Sequence, residues 1–196
     1  MGMEAAIERG DALILVDVQN DFLPGGHLAV AHGDEIIPVL NQYIKLFKQH
    51  RLAILASRDW HPADHRSFIT QGGIWPVHCV QNTPGAAFSA DLALPKTVHL
   101  INKAQKNDQD YSAFANTSLH KQLGTLGVTR IFVGGLATEY CVLNTVLDAI
   151  RLGYQVFVLE DAIRAIKVKP EDEINAKLEM QQMGAALINI ANIKTR

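Results

Sequence analysis

The sequence predicts an α/β protein of three layers, α/β/α, with helices on both faces of a doubly wound, six-stranded and mainly parallel sheet. Short apolar runs alternate with longer amphipathic segments along the whole chain. The runs are hydrophobic almost throughout, which is typical of strands buried on both faces of a sheet. Because no repeat, low-complexity tract or linker interrupts the alternation, residues 1–196 are predicted to form a single domain.

Six apolar runs are the predicted strands. Strand–helix alternation favours a parallel sheet, because each helix returns the chain to the edge from which the next strand starts. The runs are Ala12–Val16, Leu52–Ala56, Val98–Ile101, Ile131–Val133, Val156–Leu159 and Ala186–Ile190.

Four amphipathic segments are the predicted helices. Gly127 and Gly153 directly follow the second and the third, where glycine readily takes the left-handed conformation that ends a helix. The fourth opens with Pro170 and acidic residues, which suit the first turn and the positive end of the helix dipole. The segments are Asp34–His50, Ser118–Leu126, Thr138–Leu152 and Pro170–Met183.

The composition argues against several classes of partner and location. The chain is 48% hydrophobic and 19% charged, with a formal net charge of −2 and a pI of about 6.4. It therefore lacks the basic footprint expected for nucleic acid or anionic membrane. Residues 1–11 lack the pattern of a signal peptide, and no apolar run reaches the roughly 18 residues of a membrane span. Cys79 and Cys141 are predicted to be free thiols, and the protein is expected to be cytoplasmic.

Three irregular segments follow predicted strands, namely Gln19–Gly33, Asp59–Asp91 and Lys103–Thr117. Open α/β sheets bind ligands at the carboxyl ends of their strands. Long loops inside a compact domain are commonly functional. We therefore expect the functional site in these segments.

Asp17 and Lys103 both follow predicted strands at this edge of the sheet. An aspartate in that position often only caps the following loop, and an isolated lysine is usually a solvated loop residue. In a partly dehydrated pocket, however, the pKa of the Asp17 carboxylate would rise and the carboxylate could accept a proton. Lys103 is a candidate functional residue only because it is predicted to lie at the same edge of the sheet as Asp17.

Cys141 lies in the first turn of the third predicted helix, for which Thr138 is the predicted N-cap. Unpaired N–H groups and the helix dipole at that position favour a thiolate over a thiol, and the same N–H groups can hold a developing oxyanion. The alternative is a buried structural cysteine, which is the commoner state of a free cysteine.

Asp59 and His61 are two residues apart, so in an extended segment their side chains leave on the same side. His78 follows in the same irregular segment, with His65 as an additional candidate. A carboxylate and two imidazoles make a common open site for zinc, iron or manganese. A lone histidine is more often a surface or core residue than a metal ligand. The prediction of a metal site therefore depends on the combination of Asp59, His61 and His78.

Five motifs in order resemble the nicotinamidase (pyrazinamidase) family of the isochorismatase-like hydrolase superfamily. The resemblance extends from about Asp11 to Ile190, and the five motifs together are highly specific. They are VDVQNDF at Val16–Phe22, DWHPADH at Asp59–His65, WPVHC at Trp75–Cys79, the lysine with DYSAF at Lys103–Phe114, and GLATEYCV at Gly135–Val142.

This resemblance implies the fold of that superfamily and a role for each matching residue. The catalytic triad would be Asp17, Lys103 and Cys141. One divalent ion (zinc, iron or manganese, with zinc the expected one) would be held by Asp59, His61 and His78, and His65 matches a histidine that binds metal in some members only. Phe22 and Trp75 would sandwich the pyridine ring, Leu136–Ala137 would be a cis peptide, and the Ala137 and Cys141 N–H groups would form the oxyanion hole.

The implied reaction converts nicotinamide to nicotinate and ammonia through a thioester on Cys141, within NAD salvage, and pyrazinamide is expected to be hydrolysed too. Ala104 and Glu139 depart from residues common in relatives, without removing a reactive group. The expected partner is the small-molecule substrate, and the formation of homo-oligomers is left open.

Other interpretations remain open from sequence alone. Carbamoyl-sarcosine and ureidoacrylate amidases share the triad, whereas the metal set and Trp75 favour a pyridine carboxamide. Isochorismatases lack the nucleophilic cysteine. A non-catalytic binding module would have no reason to keep Asp17, Lys103 and Cys141 together.

Overall fold

A computed structural model describes residues 4–108 and 110–194. Six strands form one sheet, in which every neighbouring pair is parallel. They are β2 (Asp11–Val16), β3 (Ala53–Asp59), β4 (His99–Lys103), β5 (Arg130–Leu136), β6 (Gln155–Arg164) and β7 (Ala186–Ile188). The short strands β1 (Ala5–Ala6) and β8 (Ile193–Lys194) pair separately. The predicted six-stranded parallel sheet is confirmed.

The strand order β4-β3-β2-β5-β6-β7 explains why the sheet is doubly wound. The chain first winds outward from β2 to β4 and then returns to the other side of β2 with β5. The winding direction therefore reverses between β2 and β5. In sheets of this kind, ligands bind outside the carboxyl ends of the strands at that reversal.

Four helices cover the two faces of the sheet, namely α1 (Ile36–Gln49), α2 (Leu119–Thr125), α3 (Leu143–Arg151) and α4 (Asp172–Gln182). Successive residues of β2 belong to two different cores, because strand side chains alternate between faces. Leu13 and Leu15 pack in the core that contains Leu40 of α1, whereas Ile14 packs in the core that contains Val146 of α3. The predicted three layers follow from this alternation.

The third predicted helix differs from the expectation at its beginning. A π-helical turn at Thr138–Val142 precedes α3, and the Val142 N–H donates to the Ala137 carbonyl at 3.1 Å. Ala137, in an extended conformation, is the N-cap residue. The prediction that Thr138 caps the helix is wrong, since its buried hydroxyl has no hydrogen-bond partner in the described part of the chain.

The structure bears on the predictions about membrane spans and about the two cysteines. Over residues 4–108 and 110–194, no helix combines the length and apolar character needed to cross a bilayer. Cys79 and Cys141 are both buried and both free, as predicted.

Candidate active site

Four reactive side chains meet at the carboxyl edge of the sheet. Asp17 follows β2, Asp59 ends β3, Lys103 ends β4, and Cys141 lies in the π-helical turn after β5. The cluster therefore lies at the carboxyl ends of the strands on either side of the β2–β5 reversal. Parallel strands place residues that are far apart in sequence at this one edge.

The backbone turns sharply at Asp17, where φ is +50°. The Asp17 N–H donates to the Ser57 carbonyl at 3.1 Å, and the Ser57 hydroxyl donates to Asp17 Oδ1 at 2.6 Å. These two bonds orient a carboxylate that is fully buried. Burial raises the pKa of Asp17 to about 6, although the Lys103 ammonium opposes the rise.

Lys103 is a buried cation at the centre of the cluster, with 1% of its surface exposed. Its Nζ lies 2.5 Å from Asp59 Oδ1, 2.9 Å from Asp17 Oδ2 and 3.4 Å from Cys141 Sγ. Burial alone would lower the pKa of Lys103, but the charges of Asp17 and Asp59 raise it well above its ordinary value. The ammonium is therefore protonated at neutral pH and compensates the charge of its neighbours.

Burial of the Cys141 sulfur favours its thiol form. Burial raises the pKa of Cys141 well above its ordinary value, and the Lys103 ammonium opposes this rise only in part. Burial therefore acts against the thiolate that the first helical turn is predicted to favour. A base must remove the Cys141 proton before the sulfur can attack.

Asp59, His61 and His78 converge in a geometry that fits a divalent metal. One ligand atom from each lies within 4.8 Å of the others, and all three residues are buried. His61 Nδ1 lies 3.1 Å from the His78 carbonyl oxygen, and His78 Nδ1 lies 2.8 Å from that of Pro76. Because a carbonyl can only accept, each Nδ1 carries the proton and each Nε2 keeps its lone pair for a metal.

The charge states of these residues also suit a metal. Burial lowers the pKa of His61 to about 4 and also lowers the pKa of His78, so both imidazoles are neutral at neutral pH. Burial tends to raise the pKa of Asp59, but Lys103 and His61 outweigh it and bring the pKa below its ordinary value. One carboxylate and two neutral imidazoles are a common donor set for zinc, iron or manganese.

A second group of possible ligands, Asp17, Asp59 and Cys141, is equally compact. All three surround Lys103 Nζ at the distances given above. The positive charge in this second group is therefore the lysine ammonium, and only the group with the two histidines is a candidate metal centre.

His65 lies beside the metal set rather than within it. Its Nε2 is 2.9 Å from the Asp108 carbonyl oxygen and its Nδ1 is 2.7 Å from the Ser67 hydroxyl. Its ring packs on that of His61, with centroids 4.3 Å apart. Both ring nitrogens are engaged by the protein, so a role for His65 as a fourth ligand remains a prediction.

A largely apolar pocket opens beside Cys141 and the histidines, with about 440 Å³ of empty space including its mouth. Phe22 and Trp75, the two predicted ring-binding residues, both line it. Ala137 and Cys141 line it as well, and the Leu136–Ala137 peptide bond is cis, as the resemblance implies. Asp59 and Cys141 of the reactive cluster therefore line the same pocket as His61 and His78 of the candidate metal centre.

Comparison with known proteins assigns the family. The isochorismatase domain family matches residues 11–192. This chain belongs to that family. The nicotinamidase of Escherichia coli strain K12 is 40% identical, over 92% of this chain and 95% of that protein.

Two solved structures extend this comparison within the isochorismatase family. The pyrazinamidase of Pyrococcus horikoshii in complex with zinc is 49% identical, with a TM-score of 0.88 over 92% of this chain and 99% of that one. PnC1 of L. infantum in complex with nicotinate is 32% identical, with a TM-score of 0.89 over 99% and 100% of the two chains. The predicted family and fold are confirmed, and the predicted enzyme class, an amidohydrolase, agrees with these relatives.

Six residues of the described pocket lining were not predicted from sequence, namely Leu28, Ser67, Asp110, Tyr111, Tyr140 and Ile166. Trp75 Nε1 donates to the Tyr111 hydroxyl at 3.0 Å, and the Trp75 and Tyr140 rings meet edge to face with centroids 5.0 Å apart. The two tyrosines lie inside quoted motifs, so their aromatic character was an available signal. No signal in the sequence indicated Ile166. This residue follows β6, and β6 continues well beyond the apolar run from which the strand was predicted.

Proposed function

We propose that this chain is a nicotinamidase that hydrolyses nicotinamide to nicotinate and ammonia, and that it also accepts pyrazinamide. The observation that carries the proposal is the contact of one buried ammonium, Lys103 Nζ, with Asp17, Asp59 and Cys141. Asp59 and Cys141 also line the aromatic pocket. The nicotinamidase from Escherichia coli and the nicotinate complex of the L. infantum protein support the choice of substrate.

In the first half of the proposed reaction, Asp17 acts as the base. It takes the proton of the Cys141 thiol, and the thiolate attacks the carboxamide carbon. The Lys103 ammonium, 3.4 Å from the sulfur, stabilises the thiolate as it forms. The backbone N–H groups of Ala137 and Cys141 are the proposed donors to the oxyanion. Asp17 then returns the proton to the amide nitrogen, the C–N bond breaks, ammonia leaves, and a thioester remains on Cys141.

In the second half of the proposed reaction, Asp17 acts as the base for a water molecule. It accepts a proton from the water molecule that attacks the thioester carbon, and the C–S bond breaks to release nicotinate. The proton returns to the sulfur and restores the thiol. A pKa of about 6 suits this role, because the carboxylate is ionised at neutral pH and still holds a proton readily enough to pass it on.

Asp59, His61 and His78 would hold one divalent metal, for which zinc is the proposed ion. When bound, a metal there supplies a Lewis-acidic position for a ring nitrogen or a water molecule. The Pyrococcus horikoshii relative, solved in complex with zinc, supports this assignment.

Ring binding is assigned to the aromatic wall of the pocket. The faces of Phe22 and Trp75 provide apolar surface for a flat heteroaromatic ring. Tyr111 and Tyr140 brace Trp75 from the side, through the Trp75 N–H bond and the edge-to-face contact described above. This bracing reduces the number of orientations open to Trp75 before the substrate binds.

The decisive experiment measures ammonia release from nicotinamide by the zinc-loaded protein and by Cys141→Ala. We expect turnover by the wild type and none above background by the variant. Cys79→Ala is the matched control, because Cys79 is the other buried free cysteine, and it should keep most of the activity. Absence of ammonia release by zinc-loaded wild type would contradict the proposed substrate. Turnover by Cys141→Ala would contradict the proposed nucleophile.

A further inference from the structure

Gln19 is a buried residue that the proposed mechanism does not use. It is fully buried and is not among the described residues that line the pocket. Its side-chain amide nevertheless binds both backbone polar groups of Asp59, a proposed metal ligand. Gln19 Oε1 accepts the Asp59 N–H at 2.8 Å, and Gln19 Nε2 donates to the Asp59 carbonyl at 2.8 Å.

The end of strand β2 explains why Asp59 needs such a partner. The β2–β3 ladder ends at Val16 opposite Ser57, and the chain then turns away at Asp17. The next backbone groups of β3 that point towards β2 are those of Asp59, because the Trp60 N–H already points the other way, to the Lys103 carbonyl. Without β2 beside them, these two groups would be buried and unpaired.

The Gln19 amide therefore takes the place of a missing peptide group of β2. Its second N–H donates to the Ala86 carbonyl at 3.0 Å, so both donors and the oxygen are engaged. The reverse orientation of the amide would place an NH₂ group against the Asp59 N–H, so the partners allow only one orientation. This leaves the amide with a single arrangement, in which the Asp59 backbone is held at two points.

We propose that Gln19 is a positioning residue for the metal centre and acts through the backbone of Asp59. Asp59 Oδ1 must lie near Lys103 Nζ while the carboxylate also faces His61 Nε2, which is 3.8 Å from the same oxygen. Holding the Asp59 backbone keeps the carboxylate in that position before a metal arrives. Outer contacts that orient a ligand typically change metal affinity about 10- to 100-fold when they are removed. This inference rests on the proposed metal centre.

Two substitutions test the inference, and a third serves as the control. Gln19→Met fills the space without polar groups, and Gln19→Ala leaves room for water to pair with Asp59, so the second is expected to fold even where the first does not. Asn41→Ala is matched, because the Asn41 amide also pairs with two backbone groups of a loop, the Asp91 carbonyl at 2.9 Å and the Ala93 N–H at 2.8 Å. That loop segment contributes no residue to the described pocket.

The main measurement is the zinc Kd of metal-free protein, by competition with a chromophoric chelator, together with the thermal midpoint of the metal-free protein. We expect the Kd to rise by about tenfold or more in both Gln19 variants and to stay at the wild-type value in Asn41→Ala. Saturating zinc should then restore much of the kcat of the Gln19 variants. A wild-type Kd in the Gln19 variants, whether or not their thermal midpoint falls, would overturn the inference. Failure of the wild type to bind zinc would instead overturn the proposed metal centre.

Discussion

The amino and the carboxyl edges of the six-stranded sheet each contain a cation paired with carboxylates, and the two clusters are built differently. At the amino ends, Arg130 Nε donates to Asp11 Oδ1 at 2.7 Å and Arg130 Nη2 donates to Asp11 Oδ2 at 3.0 Å. Arg130 also pairs with Glu8 at 3.0 Å and donates to the Ala6 carbonyl at 2.6 Å. The Arg130–Asp11 contact is bidentate, and the contacts with Glu8 and the Ala6 carbonyl engage the guanidinium further.

At the carboxyl ends, one ammonium faces two carboxylates and a thiol. Asp17 Oδ2 lies 2.9 Å from Lys103 Nζ but accepts no well-aligned hydrogen bond from the described residues. The carboxylate that carries this oxygen is fully buried, and its pKa is raised to about 6. The Arg130 cluster, whose cation is held by several hydrogen bonds, is therefore suited to stability. The Lys103 cluster, in which Asp17 Oδ2 lacks a well-aligned hydrogen bond from the described residues, is suited to moving a proton.

The largest expected contrast comes from Asp17→Asn and Asp11→Asn. Asp17→Asn removes the proposed base, so kcat for nicotinamide should fall by about 10²- to 10⁴-fold while the protein still folds. Asp11→Asn weakens the Arg130 pair and should lower the thermal midpoint with little change in kcat. Steady-state ammonia release and thermal denaturation of both variants check this contrast, and equal kcat values would refute it.

The second contrast between the two clusters is the shift of the thermal midpoint that zinc causes. Added zinc should raise the thermal midpoint of wild type and of Arg130→Lys equally, because a ligand that binds only the folded state stabilises it by mass action. His61→Ala should lose this shift, since one of three proposed ligands is gone. His120→Ala, which alters an exposed histidine on α2, is the control and should keep it. A full zinc shift in His61→Ala would argue against the candidate metal centre.

Arg130→Lys should then separate stability from activity. Lysine keeps the charge but not the bidentate contact with Asp11, so the free energy of unfolding should fall by about 2 kcal/mol. Nicotinamide turnover should be unaffected, since Arg130 lies at the opposite end of the strands. Denaturant unfolding and kcat measured on the same preparation check both halves, and a large loss of kcat would show that the two ends are coupled.

The smallest expected effect is a dependence on pH. Asp17 must be ionised to act as the base, and burial raises its pKa to about 6, so kcat/KM should fall about tenfold per pH unit below that value. Stability should change in the opposite sense for this group. Because the folded state holds the Asp17 proton at a higher pH than the unfolded state does, protonation between about pH 6 and 4 favours folding.

The control for the pH profile is Asp11→Asn, which leaves Asp17 and its surroundings intact. Its kcat/KM should fall around the same pH as that of wild type. A profile that is flat through pH 6 in the wild type would remove Asp17 from the role of base, provided that the protein stays folded and zinc-loaded over the range.

Much of the fold was predictable, because buried parallel strands need nearly continuous apolar runs. Such runs can be recognised in the sequence without knowledge of the tertiary structure. All six strand candidates and the four helix candidates overlap observed elements, with differences at their ends. The placement of Asp17, Lys103 and Cys141 at one edge followed from the same reasoning, since parallel strands share a carboxyl edge. Their roles stay predictions until the variants are measured.

The sequence by itself determined the sheet, its layers and the set of reactive side chains, since each depends on local hydrophobicity and on residue type. Only the tertiary structure decided the direction in which the pKa of Cys141 shifts, because desolvation depends on everything packed around the sulfur. It also decided that the Gln19 amide meets Asp59, which is 40 residues away along the chain. Burial and long-range hydrogen bonds are properties of the assembled fold, and no spacing within a motif contains them.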